Sequence, residues 1–242
     1  MPRKARNESL AASHAAPGGA AAVDRALTLL SAFRQGDAPL SLAELASRTQ
    51  LYKSTVLRLL ASLEHARLVQ RLEGGRYGLG SEVARLNAVY AASFSLDRVV
   101  LPVMRALVAA TRESAAYHVV QGDARLCLYR VDSPQPIRDH IQAGDVLPLD
   151  RGTGGRVLSA FGPISAAVRS AEDKNIYARI RAQGYFTAMG DRLAGVAGIS
   201  APVFKADGSL AAALTLTMPA ERYDERHVQK VLEAARTLST LV

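Results

Sequence analysis

The chain has little of several residue types. One cysteine, Cys127, stands among 242 residues, so neither a disulfide framework nor a cysteine-cluster metal site can form. No stretch approaches the ~20 consecutive apolar residues that a membrane-spanning helix needs. The opening MPRKARNESLAASHAAPGG lacks the apolar core of a signal peptide, which makes a cytoplasmic chain with no membrane partner the expectation. The five histidines, His14, His65, His118, His140 and His227, show neither metal-ligand spacing nor a local Ser or Asp partner. No catalytic residue, metal site or cofactor is therefore expected.

Apolar residues make up 49% of the chain and charged ones 21%, which excludes wholesale disorder. The length suits one large or two small domains. Net charge is +8, and residues 1–80 hold +5 of it. Charge alone names no partner.

Residues 1–21 are rich in Ala, Ser, Gly and Pro around Arg3, Lys4 and Arg6, and read as a flexible tail. Val23, Ala26, Leu27, Leu30 and Phe33 then fall at helical spacing, with Gly36 as a stop. Ser41-Leu42-Ala43-Glu44 has the form of a capping box, opening a short helix that ends near Thr49. Gln50 to Tyr52 leave only a tight turn before a third helix, about Lys53 to His65. LVQRLEGGRYGLG follows, two short apolar runs about Gly74-Gly75, which is a hairpin signal. Helix, short helix, turn, helix and hairpin form the order of a winged helix-turn-helix.

An Ala-rich helix from Glu82 to Tyr90 leads out, with Val83, Leu86 and Val89/Tyr90 on one stripe. Another spans about Ser95 to Thr111, where Pro102 either kinks it or marks a new first turn. Strand patterns follow in AAYHVV and ARLCLYRV, then a Gly-rich loop running into a short helix (Asp150 to Phe161), and helices near 163–170 and 172–183. Strands at about 197–204 and 210–217 and a helix from Asp224 to Leu241 close the chain. Without regular βαβ alternation, the class is α+β.

On the third helix Val56, Leu59, Leu60 and Leu63 make a core face. The opposite face carries Ser54, Arg58 and Ala61, flanked by Thr55, Leu57 and Ser62, and no acid. Arg and Ser can bond bases or phosphates, and Leu or Ala can meet thymine methyls. Lys53, Ser54 and Thr55 lie at the helix N-terminus, where free amides favour phosphate. Arg71 and Arg76 flank the hairpin tip, and Arg25 completes the expected DNA-contact set. Any one of these parts also suits a plain solvated surface; their order favours DNA.

Gly152-Thr153-Gly154-Gly155 opens a helix and can present amides to a small carboxylate, although the same glycines also serve a simple turn. The Lys-Ser/Thr of a P-loop is missing. In Leu210 to Met218, alternation puts Leu210, Ala212, Leu214, Leu216 and Met218 on one face, and Ala211, Ala213, Thr215 and Thr217 on the other. The second face offers space and hydroxyls. Asp191, between Gly190 and Arg192, sits in a loop that can orient a ligand. Cys127, inside an apolar strand, reads as core.

VDRALTLLSAF, SLAELASRTQLYKSTVLRLLASLEHARLV and RYGLG, followed by LPLDRGTGGRVLSAF, IRAQGY and GVAGISAPVFKADGSLAAALTLTMPAERY, resemble the isocitrate lyase regulator (IclR) family of prokaryotic transcription factors over residues 23–242. The resemblance implies a tail (1–21), a winged helix-turn-helix DNA-binding domain (22–80), a linker helix (81–93) and a GAF-like effector-binding domain (94–242). It also implies a homodimer, which in this family often pairs again into a homotetramer, a double-stranded DNA operator and a small organic-acid effector. By position its effector pocket falls on Thr153, Gly154, Gly155, Asp191, Gly198, Ser200, Thr215 and Thr217. This sequence departs from the family pattern at Tyr52, where proline is frequent, and at Leu57, where a polar residue is commoner. It also has RGTGG where Ala-Thr-Ala-x-Gly is usual, and threonines where serines are frequent. The expectation is a DNA-binding regulator, not an enzyme. The alternative is an enzyme acting on a small organic acid, which would need a convergent acid, base or metal set.

Overall fold

In a computed structural model the Ser41 side chain accepts from the Glu44 amide while Glu44 reaches back to the Ser41 amide, closing the box read from the sequence. The structure describes residues 9–13, 15–94, 96–162 and 170–242. Two compact units divide between Ser93 and Phe94.

The first unit holds α1 (Leu10–Ser13), α2 (Ala21–Leu30), α3 (Leu42–Thr49), α4 (Lys53–His65), β1 (Val69–Arg71), β2 (Tyr77–Leu79) and α5 (Ser81–Phe94). Gln50 caps α3 in the left-handed region (φ 56°), which lets the chain turn at once into α4. Leu29, Leu45, Val56, Leu60 and Leu63 pack one core with Val69 and Tyr77. Antiparallel β1 and β2 form the wing, and Leu40 bridges to Tyr77 beside it. Gly74 and Gly75, both at φ 70°, carry the chain round the tip, where glycine alone is unstrained.

Two expectations need correction here. The stretch read as a tail contains α1, with Ala11 buried, while Arg3, Lys4 and Arg6 lie outside the described residues. The helix read from Val23 to Phe33 ends at Leu30, and it turns Leu29 inward while Val23 and Leu27 stay exposed. On α5 the stripe of Leu86, Val89 and Tyr90 is exposed as well. Apolar periodicity marks a face to be covered; it does not say that this unit's own core covers it.

In the second unit come α6 (Leu96–Thr111), β3 (Ser114–Gln121), β4 (Ala124–Val131), β5 (Val146–Pro148), α7 (Thr153–Phe161), α8 (Ala171–Gln183), β6 (Phe186–Met189), β7 (Val196–Phe204), β8 (Leu210–Pro219) and α9 (His227–Ser239). The strands form one antiparallel sheet in the order β5-β4-β3-β8-β7-β6. Val100, Met104 and Leu107 of α6, with Val231 and Leu238 of α9, bury one sheet face. Val157 and Leu158 of α7, with Tyr177 and Ile180 of α8, cover part of the other.

Pro102 lies inside α6, which runs on through it, so it marks no new first turn. The last helix begins at His227 rather than Asp224. Edge strands β5 and β6, of three and four residues, escaped the sequence reading, and the helix read near 163–170 falls largely outside the described residues. The alternation read in β8 fails at its start. Val203 pairs with Ala212 and Phe204 with Leu210, so Ala211 is bulged. Leu210 therefore packs on the α7 side and Ala211 on the α6/α9 side, the reverse of strict alternation.

A second bulge matters more. Tyr117 pairs with Tyr129 but His118 with Cys127, leaving Leu128 as the extra residue of β4. Arg125 and Arg130, an odd five residues apart, therefore share one sheet face. Both turn to the α7 side.

Candidate functional site

On α4 the outward surface consists of Lys53, Ser54, Leu57, Arg58, Ala61 and Ser62, all exposed, with Thr55 half-buried at its edge. It contains no acid. α4 also lacks a side-chain cap at Tyr52, so its first-turn amides keep their donors for another acceptor. Arg25 is exposed on α2, and Arg71 reaches over the wing tip toward Gly75. Arg76 is partly committed elsewhere: it donates to Pro39 O at 2.8 Å and pairs with Glu44 at 3.4 Å, bracing the wing against α3.

The other candidate is a cleft between α7 and the sheet, partly open to solvent, whose free space of about 30 Å³ is small against ligand sites. Thr153, Gly154, Asp191, Gly198, Thr215 and Thr217 line it. Ser200 stands just behind, its hydroxyl 2.7 Å from Thr153 Oγ1 and 2.8 Å from Thr215 Oγ1, holding α7 to the sheet. Gly155 does not line the cleft: a Cβ there would meet Leu149 O at 2.7 Å, so this glycine lets the helix lie against the β5–α7 segment. Asp191 accepts from the Gly152 amide and pairs with Arg156 at 3.2 Å, and so fastens the loop that opens α7. Burial opposes the Arg156 charge, but its bonds to Asp191 and Asp173 outweigh that and hold its pKa above the usual arginine value.

Sequence reasoning passed over the most polar part of the site. Arg125 is 2% exposed, lines the cleft, and has no partner for Nε or Nη1 among the described residues. Burial and the Arg192 charge bring its pKa down to about 10, which leaves it a cation at neutral pH. His118, also buried, places Nδ1 3.3 Å from Thr215 Oγ1 and leaves Nε2 unpartnered. Burial first, then Arg125, Arg130 and Arg192, pushes its pKa well below the ordinary histidine value, so the ring is neutral. Arg130 bonds the buried Asp139, and Arg192 approaches the same carboxylate at 3.7 Å. Ile141, Ala188, Leu193 and Val196 supply the apolar wall. The one available signal was the arginine in ARLCLYRV, on the same strand face as buried Cys127. Burial pushes the thiol of Cys127 up to about 12.

The glycines fit this crowding. A Cβ on Gly154 would lie 2.6 Å from Thr215 Oγ1, 2.7 Å from Arg125 Nη1 and 3.1 Å from His118 Nδ1. The α7 N-terminus, its partial positive charge and an unpartnered guanidinium thus converge on one small volume, the arrangement that receives a carboxylate. Among the described residues no group of three His, Cys, Asp or Glu gathers as a metal site, and no helix is long and apolar enough to cross a membrane.

Comparison with known proteins agrees with both halves. Residues 22–73 match the IclR helix-turn-helix domain, and residues 88–242 match the family described as bacterial transcriptional regulator IclR C-terminal. The SauR protein of Cupriavidus necator is 35% identical over 146 residues, 59% of this chain and 57% of that protein, so the match spans little more than half of it. The HTH-type transcriptional regulator BhcR of Paracoccus denitrificans is 27% identical over 245 residues, 92% of this chain and 87% of that one. An IclR homolog from Microbacterium hydrocarbonoxydans, crystallised with 4-hydroxybenzoate, has the same fold: TM-score 0.79 and 22% identity, covering 90% of this chain and 98% of that one. With both domains matched in order, the chain belongs to the IclR family of DNA-binding transcriptional regulators.

Proposed function

We propose that this regulator binds a small organic acid in the cleft under α7, and that occupancy changes its affinity for a DNA operator. The observation that carries this reading is Arg125, a buried cation with unpartnered nitrogens at the mouth of a helix N-terminus. A buried charge without a partner costs several kcal/mol, so it persists where a ligand supplies the missing partner. The Microbacterium relative holds an aromatic acid, which supports the same ligand class here. The acid-free face of α4 is the base-reading surface, with Arg58 at its centre, while Lys53, Ser54, Thr55 and Arg25 engage phosphates and Arg71 follows the backbone beside the wing. A homodimer presents two such heads, so the operator is pseudo-palindromic with half-site centres ~10 bp apart or a multiple of that.

The test is selection of bound fragments from the source genome, followed by titration of the complex with organic acids. A recovered palindrome whose affinity shifts with one acid is the expected result. Fragments without a common element refute sequence-specific binding, and an affinity that no acid moves refutes effector control.

A further inference from the structure

The charges around the cleft restrict which acid fits. Four guanidiniums, of Arg125, Arg130, Arg156 and Arg192, are buried or nearly so against the α7 side of the sheet. Asp139 lies between Arg130 and Arg192, the half-exposed Asp132 also takes Arg130 at 3.0 Å, and Asp173 and Asp191 both hold Arg156. Of the four, Arg125 is in none of the ion pairs of the described residues, and its Nε and Nη1 have no hydrogen-bond partner.

We propose that the effector is a monocarboxylate with an apolar body, anchored through its carboxylate by Arg125, and that di- and tricarboxylates are rejected. The proposal rests on reading the cleft as an effector site and adds the charge and shape of the occupant. The carboxylate accepts a charge-assisted hydrogen bond from Nη1 of Arg125, one of its unpartnered nitrogens. His118 Nε2, unpartnered beside it, takes a second contact from the same end of the ligand. Away from Arg125 the wall turns apolar at Ile141, Ala188, Leu193 and Val196. A second carboxylate there would be desolvated against aliphatic groups, which is costly without a counter-charge. Were it drawn instead toward Arg192, it would meet Asp139, already shared by two arginines, and Asp191, which lines the same cleft. Like charges at that range in a poorly solvated site repel strongly.

The test uses the full chain and titration calorimetry at neutral pH. The probes are straight-chain and aromatic monocarboxylates of two to eight carbons, their primary amides, and the diacids of the same skeletons. Benzoate, benzamide and phthalate make one such set; butyrate, butyramide and succinate make another. The proposal expects at least one monoacid to bind, its amide to bind at least ~10-fold more weakly, as loss of a charge-assisted pair implies, and its diacid to bind at least ~10-fold more weakly. Arg125→Gln is expected to bring acid and amide within threefold of each other. Because the acid, amide and diacid comparison runs on the unaltered protein, it holds even if that variant folds poorly. Diacids binding as tightly as their monoacids overturn the single-charge inference and leave the organic-acid site standing. No binding by any acid, or amides equal to acids, overturns both.

Discussion

Adjacent glycines at the start of α7 serve different neighbours, and replacing each by alanine separates ligand binding from folding. In Gly154→Ala the new methyl points at side-chain ends: Thr215 Oγ1 at 2.6 Å, Arg125 Nη1 at 2.7 Å and His118 Nδ1 at 3.1 Å. The guanidinium can swing away, but only into the cleft it lines. Overpacking of this kind costs about 1–3 kcal/mol, of which the better helix propensity of alanine returns about 1 kcal/mol. The net loss is then about 2 kcal/mol at most, or a fall in Tm of up to ~8 °C at this size. Acid binding, by contrast, should fall by at least ~30-fold, because the methyl and the displaced guanidinium occupy the carboxylate position. In Gly155→Ala the methyl meets backbone, Leu149 O at 2.7 Å and Pro148 O at 3.0 Å, which has no rotamer to change. That variant should lose ~2 kcal/mol or more, yet its folded fraction should bind acid within threefold of wild type. Thermal denaturation and calorimetric titration read both quantities. A Gly154→Ala protein that binds acid normally, or a Gly155→Ala protein as stable as wild type, would refute the assignment of one glycine to the cleft and the other to the scaffold.

Arg58→Ala should reduce the preference for operator over scrambled DNA by about 1–3 kcal/mol if Arg58 reads a base; fluorescence anisotropy at fixed salt checks it, and an unchanged preference rejects direct readout. Below pH 6.5 the unfolded chain takes up a proton at His118 that the folded one refuses, so stability is complete above that pH and falls as the pH drops, by up to ~1.4 kcal/mol per unit. His118→Gln should remove that component and leave the smaller contribution of His227, which is shifted the same way; an acid limb as steep as wild type contradicts it. Arg125→Met should make the ligand-free protein more stable, by about 1–3 kcal/mol, since it deletes an unpartnered buried charge, while abolishing stabilisation by acids. A lower Tm for that variant without ligand would show that Arg125 is a structural cation instead.

The helix-turn-helix was legible because its signals are local. Ser41 and Glu44 sit three residues apart and cap each other; Val56, Leu60 and Leu63 fall on one helical face and are buried together. The cleft under α7 was legible only where one segment carried the pattern, as in Thr153-Gly154 and Thr215-x-Thr217. Its charged half was not. Arg125, His118 and Asp139 come from three places in the sequence, and nothing local distinguishes a buried arginine in a strand from a solvated one. The exposed Val23 and Leu27 show the converse, an apolar stripe that periodicity reports faithfully without saying what covers it.

The bulge at Leu128 has a consequence for how the sheet assembles. Sliding β4 by one residue along β3 would exchange its two faces. In that arrangement the Arg125 guanidinium would be driven among Val100, Met104 and Leu107, with no carboxylate of that cluster to receive it. Mispaired sheets are thereby rejected by the same cation that lines the cleft. Register fidelity during folding and the charge of the cleft rest on one side chain.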